Sequence, residues 1–389
     1  MLNFEFCSPT RFIFGKNTEA KAGEMVKKFG GTKVLIHYGG GSVVRSGLLD
    51  RVKESLKNES VDFVELGGVQ PNPRSGLVYR GIDLCRAEKV DFILAVGGGS
   101  VIDSAKAIAA GVLMDEDFWN YWEVKKQVTA ALPIGTVLTI PAAGSESSFN
   151  SVITNEKTLV KRGTSGDPLR PRFSILNPEL TFTLPAWQTA SGASDIIAHV
   201  LERYFTNTPE VEVTDRLCEA LLLTMVKETP RVIADPENYE ARANIMWAGA
   251  LAHNNVVGVG REQDWSTHAI EHELSALYDV THGAGLAVLF PAWMKWALPQ
   301  DPKRFATMAT RIFNIQHTGD DTETGMLGIQ AWRDFFTAIG MPDNLKDLGV
   351  KEEDLEYMAN RLMLKKDGTL GNFVKLTPAD VVEIYKSCY

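Results

Sequence analysis

Short apolar runs alternate with helix-spaced segments through the first half of the chain, and this alternation limits its fold more than any other feature. The apolar runs cover residues 33–38, 61–66, 91–96, 135–140 and 173–176. Helical spacing of apolar residues covers residues 44–56, 75–88 and 101–110. Because parallel strands need long crossover connections, this rhythm predicts a parallel sheet with helices on both faces.

The pattern changes after Leu184 and Pro185, where strand signals disappear and long helical patterns take over. These patterns cover residues 186–205, 211–226, 239–254 and 265–277. A chain of 389 residues is long enough for about two or three domains of ordinary size. We therefore predict an α/β domain with a Rossmann-like sheet over residues 1–184, followed by an all-α domain over residues 185–389.

Charge and cysteine content narrow the class of protein. A formal net charge of -9 disfavours non-specific binding to nucleic acid and docking on anionic membranes. The cysteines Cys7, Cys85, Cys218 and Cys388 form no CxxC pair, which favours free thiols in a reducing compartment. The first residues do not show the pattern of a signal peptide, and no window is as apolar as a membrane span. We expect a cytoplasmic protein without a membrane or nucleic-acid partner.

Two glycine clusters each follow a predicted strand and open a helical segment, at residues 39–42 and 97–100. A helix N-terminus offers free N–H groups, and glycine lets a phosphate approach the backbone closely. Neither cluster is a GxGxxG motif, so each alone fits a phosphate site or a plain tight turn. Two such turns in one α/β half favour a dinucleotide. Gly40, Gly41 and Ser42 place no carboxylate after the first of these strands, which favours NADP(H) over NAD(H).

Histidines cluster in the second half of the chain. Asp195 and His199 are four residues apart in a helical segment, as are His268 and His272, so each pair shares a helix face. His282 stands near glycines that indicate a helix boundary. One carboxylate and three imidazoles suit zinc or ferrous iron. Isolated pairs at this spacing are usually plain helix contacts, so spacing alone leaves the metal site and the structural interpretation equally open. We expect His253 to be structural or partly exposed.

Five ordered segments carry a resemblance to a known family. They are the opening FEFCSPTRFIFGKN, GGGSVIDSAKAIA at 97–109, TIPAAGSES at 139–147, SDIIAHVLERYF at 194–205 and GREQDWSTHAIEHELSALYDVTHGAGLAVLFPAW at 260–293. Over nearly its whole length the chain resembles the iron-containing (group III) alcohol dehydrogenases. It is most similar to their branch of butanol dehydrogenases and NADPH-dependent aldehyde reductases. The resemblance implies a dehydroquinate synthase-like fold and a homodimer.

The resemblance also implies roles for individual residues. The metal ligands of the family fall on Asp195, His199, His268 and His282, and a proton-relay position falls on His272. The cofactor-contacting positions fall on Gly97, Gly98, Gly99, Ser100, Asp103, Asn72, Thr139 and Lys161. The chain departs from many members by having glycines where they carry an aspartate after the first strand, as in the NADP-favouring branch. Residues 142–148 are also shorter than the TTAGTGSE of many members.

The expected reaction is hydride transfer between NAD(P)(H) and a primary alcohol or aldehyde, such as butanol or butanal. A divalent metal, Fe²⁺ or Zn²⁺, would act as a Lewis acid on the substrate oxygen. We expect the active site in the cleft between the two domains. Two alternatives remain: a dehydroquinate synthase-like lyase, which needs several basic residues at the metal, and a non-catalytic binding protein of the same fold. The choice between iron and zinc also stays open.

Overall fold

The computed structural model describes residues 1–389, which form two compact units. The α/β unit comprises Cys7–Leu184, and the helical unit comprises Met1–Phe6 together with Pro185–Tyr389. The first six residues therefore differ from the sequence-based division, which assigned them to the α/β domain. They join the helical unit because the Leu2 N–H donates to the carbonyl of Gly260, at 2.8 Å.

A six-stranded parallel sheet forms the centre of the α/β unit, as predicted. Its strands are β1 (Arg11–Phe14), β2 (Lys33–Gly39), β3 (Asp62–Val69), β4 (Phe92–Gly97), β5 (Ile134–Leu138) and β8 (Phe173–Leu176). Their order across the sheet is β1-β8-β5-β4-β2-β3. β4 and β5 are buried along their whole length, as expected for central strands covered on both faces.

The strand order reverses between β2 and β4. The chain first moves outward from β2 to β3, and then returns past β2 to β4 and β5. Open α/β sheets bind ligands beyond the carboxyl ends of the strands at such a switch point. Tyr38 is the register partner of Val96, so both glycine clusters begin at this point of the sheet.

The helices of the α/β unit follow the predicted segments with one difference. They are α1 (Ala22–Lys28), α2 (Ser42–Arg45), α3 (Leu48–Asn58), α4 (Ser75–Glu88), α5 (Gly99–Val112) and α6 (Trp119–Glu123). The single helix predicted over residues 44–56 is wrong, because Gly47 adopts φ 69° and separates α2 from α3. The antiparallel hairpin of β6 (Asn150–Asn155) and β7 (Val160–Ser165) was not predicted, since its sequence is mostly polar.

The helical unit contains no named strand, and its prediction as all-α is confirmed. Its helices are α7 (Ala186–Tyr204), α8 (Glu212–Ala234), α9 (Tyr239–His253), α10 (Ser266–Tyr278), α11 (His282–Ala297), α12 (Pro302–Phe313), α13 (Asp321–Ala338), α14 (Leu355–Asn360) and α15 (Pro378–Ser387). In α7 every residue from Thr189 to Tyr204 is buried, so this helix lies at the centre of the unit. No helix of the chain is both long and apolar enough to cross a membrane.

Candidate metal centre and cofactor site

The central helix α7 supplies the first part of a cluster of ionisable side chains. Asp195, His199 and Glu202 are spaced at i, i+4 and i+7, so they lie along one face of the helix. All three are buried. Burying charged and polar groups in a helix core is costly unless they have partners, so this face indicates a site rather than ordinary packing.

Three imidazoles surround one oxygen of Asp195. Oδ1 of Asp195 lies 3.0 Å from Nδ1 of His199. It lies 3.7 Å from Nε2 of His268 and 3.8 Å from Nε2 of His282. Nε2 of His268 is in turn 3.1 Å from Nδ1 of His199. The structure therefore brings the four predicted ligands together, from α7, α10 and α11.

The donor set fits a small divalent cation. Zinc held by nitrogen and oxygen at about 2.1 Å in a tetrahedron places its ligands about 3.4 Å apart, and the ligand spacings here bracket that value. Oδ1 of Asp195 is buried without a hydrogen-bond partner, which leaves a negative charge directed at the cluster. Asp195, His268 and His282 form a group able to hold a metal ion, and His199 adds a further nitrogen beside Asp195.

Close packing of α11 on α7 places His282 at the cluster. His282 is the first residue of α11, after Thr281 as N-cap. The next residue, Gly283, packs so closely that a Cβ there would stand 1.9 Å from the carbonyl oxygen of Ser191 on α7. Only glycine allows the two backbones to approach this closely, and the approach directs the His282 ring towards Asp195.

Electrostatics in the cluster separates its members. Burial would raise the pKa of Asp195, but attraction to His199 and His282 lowers it well below the usual range. Burial lowers the pKa of His199 to about 4, against the attraction of Asp195. Burial also opposes the charge of His268, but hydrogen bonds to Asp195 and Glu202 raise its pKa to about 9. An ionised carboxylate beside a neutral imidazole is the protonation state that metal binding requires.

The remaining histidines occupy different environments. His272 is partly exposed, and its ring centroid is 5.6 Å from that of His282. His253 was expected to be structural or partly exposed, but it is buried with its ring 4.3 Å from the His199 ring. His37 is a satisfied core residue, as expected, with ring nitrogens bonded to the Leu66 carbonyl at 2.8 Å and to Ser104 at 2.9 Å. His317 is exposed, beside Asp321.

Sequence reasoning missed three buried charged residues around the cluster. Glu202 contacts His268, Glu271 contacts His282, and the Arg203 guanidinium donates to the His199 carbonyl at 2.6 Å. The signal was present for both carboxylates. Glu202 extends the Asp195–His199 spacing by three further residues, and Glu271 follows His268 by three. No spacing rule would have indicated Arg203.

The α/β unit places the predicted glycines at two turns next to each other. Gly41 adopts φ 116°, which glycine tolerates and other residues rarely adopt, and it immediately precedes α2 at Ser42. The second turn leads from β4 into α5, with Gly98 as N-cap. A Cβ on Gly98 would stand 3.1 Å from Ile140, and one on Gly99 would stand 3.3 Å from Ala143. The first turn of the 14-residue helix α5 thus has a close-packed N-terminus of the kind that binds phosphate.

The other predicted cofactor positions gather around the same strand ends. The Thr139 N–H donates to the Gly97 carbonyl at 3.0 Å. The buried Lys161 ammonium donates to Asn72 at 2.9 Å, and Asn72 itself adopts φ 53°. Burial raises the pKa of Asp103 against the nearby positive charges of Lys106 and Lys161. All predicted cofactor-contacting residues therefore lie in the α/β unit, near the carboxyl edge of its sheet or on its hairpin.

A buried lysine missed by the sequence analysis holds the loop that follows β5. Lys106 on α5 is fully buried, and its ammonium donates to the carbonyls of Ser145, Ser148 and Asn150 at 2.7–3.0 Å. Residues 142–148, which are shorter than in many family members, are thus fixed to the helix that starts at the glycine turn.

Comparison with known proteins agrees with this arrangement. Residues 9–178 match the family model described as iron-containing alcohol dehydrogenase. Residues 189–389 match the model described as Fe-containing alcohol dehydrogenase family, C-terminal. The chain belongs to the iron-containing alcohol dehydrogenase family. The family predicted from the sequence motifs is confirmed, and each matched region falls within one of the two units.

Individual relatives support the predicted branch. NADH-dependent butanol dehydrogenase A of Clostridium acetobutylicum is 42% identical, with 100% of both chains covered. NADPH-dependent aldehyde reductase YqhD of Escherichia coli is 39% identical over 93% of each chain. The crystal structure of NADH-dependent butanol dehydrogenase A from Thermotoga maritima is 44% identical and superposes with a TM-score of 0.96, covering 100% of this chain and 99% of that one.

Proposed function

We propose that the protein is a metal-dependent alcohol dehydrogenase and aldehyde reductase, which transfers a hydride between NAD(P)(H) and a primary alcohol or aldehyde such as butanol or butanal. The single observation that carries this proposal is the convergence of three imidazoles on the unpartnered oxygen of Asp195. The names of its relatives support the substrate class.

In this proposal Asp195, His199, His268 and His282 hold one divalent metal. The metal supplies Lewis-acid polarisation of the substrate oxygen, and the nicotinamide supplies or accepts the hydride. His272 is partly exposed beside the cluster, and we assign it the relay of the alcohol proton towards solvent. Nitrogen and oxygen ligands suit both Fe²⁺ and Zn²⁺.

We further propose that NADP(H) is preferred over NAD(H). The turn after β2 contains no carboxylate that would repel a 2′-phosphate. Nη1 of Arg45 lies 3.3 Å from the position that a Cβ on Gly41 would occupy. The Arg45 side chain is exposed and has no hydrogen bond or ion pair with the protein. A free guanidinium beside this turn is suited to a phosphate on the adenosine ribose.

Homodimer formation and a cytoplasmic location complete the proposal. Leu2, Phe4 and Phe6 expose apolar side chains next to one another, which is typical of an interaction surface. The four cysteines are unpaired, which supports a reducing compartment. Sedimentation velocity of the wild-type chain and a Phe4→Ser variant tests the dimer: we expect the variant to dissociate more readily, and a monomeric wild type would contradict the proposal.

The lyase alternative is weaker in light of the structure. A multiply charged substrate needs several basic side chains directed at the metal. The buried basic residue at this cluster is Arg203, and its guanidinium is already bonded to the His199 carbonyl and to His253. The neighbouring Arg261 donates to the backbone carbonyl of Arg203 and pairs with Asp215.

A panel of aldehydes and alcohols tests the function. The protein is stripped of metal, reloaded with Fe²⁺ or Zn²⁺, and assayed with NADPH and NADH by the absorbance of the reduced cofactor. We expect reduction of butanal only by the reloaded protein, and faster with NADPH. Absence of cofactor oxidation with every aldehyde, in protein shown to contain metal, would overturn the proposal.

A further inference from the structure

Two buried glutamates lie behind the metal cluster, each against a different histidine. Glu202 on α7 and Glu271 on α10 both have fully buried side chains, and neither belongs to the predicted ligand set. Each has an oxygen at the Nδ1 atom of a histidine whose Nε2 atom faces Asp195. The two pairs are alike although they come from different helices.

Glu202 fixes both the ring and the backbone of His268. Its Oε1 atom accepts from Nδ1 of His268 at 3.0 Å and from the backbone N–H of the same residue at 2.9 Å. Its Oε2 atom accepts from the backbone N–H of Trp265 at 2.7 Å. Because a carboxylate only accepts, Nδ1 of His268 carries the proton and Nε2 is free to bind a cation.

Glu271 does the same for His282. Its Oε2 atom accepts from Nδ1 of His282, while Oε1 accepts from the hydroxyl of Ser275 one helical turn further along. The opposite side is closed by Gly285 on α11, where a Cβ would stand 2.9 Å from Cγ of Glu271. The carboxylate is therefore held on both sides and has little freedom to turn away from the ring.

We propose that Glu202 and Glu271 are positioning residues of the metal centre, which set the tautomer and orientation of His268 and His282 and make these imidazoles stronger ligands. The proposal rests on the proposed function, because it assumes that the cluster binds a metal. Carboxylates that accept from the second ring nitrogen of a ligand histidine change metal affinity by about 10–100-fold in other metal sites. His199 has no such partner, since its Nδ1 atom lies beside Asp195 itself.

The arrangement also offers a different use for Glu271. Together with His272 and His282 it forms a second group of side chains able to hold a cation. In that case Glu271 would be a ligand of a second ion. The hydrogen bond from Nδ1 of His282 favours the positioning role, because a ring nitrogen that donates a proton to a carboxylate cannot bind a metal at the same time.

The decisive variant is Glu271→Gln, which keeps the size of the side chain and one accepting oxygen but removes the charge. Glu273→Gln is its matched control, since Glu273 is buried on the same helix but pairs with Arg361 at 3.3 Å. Glu202→Gln is the second variant, although Glu202 also holds the start of α10. The purified proteins are compared by circular dichroism, by metal stoichiometry and by the dissociation constant for Zn²⁺ in competition with a chelator.

We expect the wild type and Glu273→Gln to bind one Zn²⁺ with equal affinity, and Glu271→Gln and Glu202→Gln to bind it about 10–100-fold more weakly. The absorption spectrum of the Co²⁺-loaded proteins should change in the two weakened variants only. Unchanged affinity in a folded Glu271→Gln protein would overturn the inference, as would a drop from two bound ions to one. A wild type that binds no metal would instead refute the proposed metal centre, so the two failures are distinguishable.

Discussion

The α/β unit and the helical unit build their candidate sites from different materials. At the turns of the α/β unit, backbone groups do the work, and Gly41, Gly98 and Gly99 are present because side chains would block the backbone. In the helical unit, side chains from three helices meet at one oxygen of Asp195. A site made from backbone depends on local turns, whereas a site made from side chains depends on how whole helices pack.

Removing the central carboxylate should have the largest effect on this comparison. Asp195→Ala should remove bound metal and lower kcat/KM by at least about a thousandfold, because Lewis-acid polarisation contributes several kcal/mol. NADPH binding by the α/β unit should be unchanged. Metal analysis, steady-state kinetics and cofactor titration measure these effects, and His268→Ala should behave in the same way. His317→Ala is the control, and full activity in a metal-free Asp195→Ala protein would contradict the assignment.

His272 tests whether every histidine near the cluster is a ligand. His272→Ala should lower kcat by about a hundredfold, the usual contribution of a positioned proton-transfer group. Metal content should stay at the wild-type level, since the four assigned ligands remain. Turnover and metal content are measured on the same preparation. Loss of metal would show that His272 is a ligand.

Two glycine substitutions should affect the two units separately. Gly283→Ala places a Cβ 1.9 Å from the Ser191 carbonyl, so α11 must move away from α7. Overpacking of this kind costs about 1–3 kcal/mol, and we expect Zn²⁺ affinity to fall at least about tenfold with cofactor affinity unchanged. Gly41→Ala should do the reverse, because a side chain at φ 116° strains only the turn after β2.

Gly40→Ala is the matched control for Gly41→Ala, because a Cβ at Gly40 meets open space. Thermal unfolding followed by circular dichroism separates loss of fold from loss of binding, and titrations with Zn²⁺ and NADPH then report the two sites. The comparison between units would be broken if Gly283→Ala weakened NADPH binding as much as Zn²⁺ binding.

His37 sharpens the contrast, since it is a buried histidine that serves the fold of the α/β unit. Burial lowers its pKa from 6.5 to about 4, against the hydrogen bond with the Leu66 carbonyl. Between these values the unfolded chain binds the proton more tightly, so the stability contributed by neutral His37 is complete above pH 6.5 and is lost as the pH falls towards 4. We expect a loss of about 2 kcal/mol between about pH 7 and about pH 5.

Urea unfolding of the wild type and of His37→Gln at both pH values measures this loss. The variant should lose about 2 kcal/mol less than the wild type over the same interval. An equal pH dependence in the two proteins would show that His37 does not titrate in this range.

The smallest expected effect concerns cofactor choice. Arg45→Gln removes the free guanidinium beside Gly41, so KM for NADPH should rise about tenfold, the loss of one exposed charge-assisted contact of about 1.4 kcal/mol. KM for NADH should not change, because NADH has no 2′-phosphate. Arg51→Gln is the control, since Arg51 pairs with Glu19 at 3.1 Å. A parallel rise with both cofactors would indicate a general loss of binding.

Local patterns predicted most of the elements of both units. The range of α4, Ser75–Glu88, agrees with its predicted segment, as does that of β8. Errors arose where single residues decide the backbone. Gly47 ends α2 before α3 begins, and the β6–β7 hairpin has too little apolar alternation to be recognised. The first six residues carry no signal that would have assigned them to the helical unit.

The sequence by itself determined the change from α/β to helical structure near Leu184 and the spacing of Asp195 and His199, because strand and helix periodicity are local properties. Only the tertiary structure decided that His282 meets Asp195, that Glu202 and Glu271 stand behind two of the histidines, and that Arg45 lies over the turn at Gly41. Helix spacing states which residues share a face. It does not state which faces pack together, since that depends on close approaches such as that of Gly283 to Ser191, which no local pattern encodes.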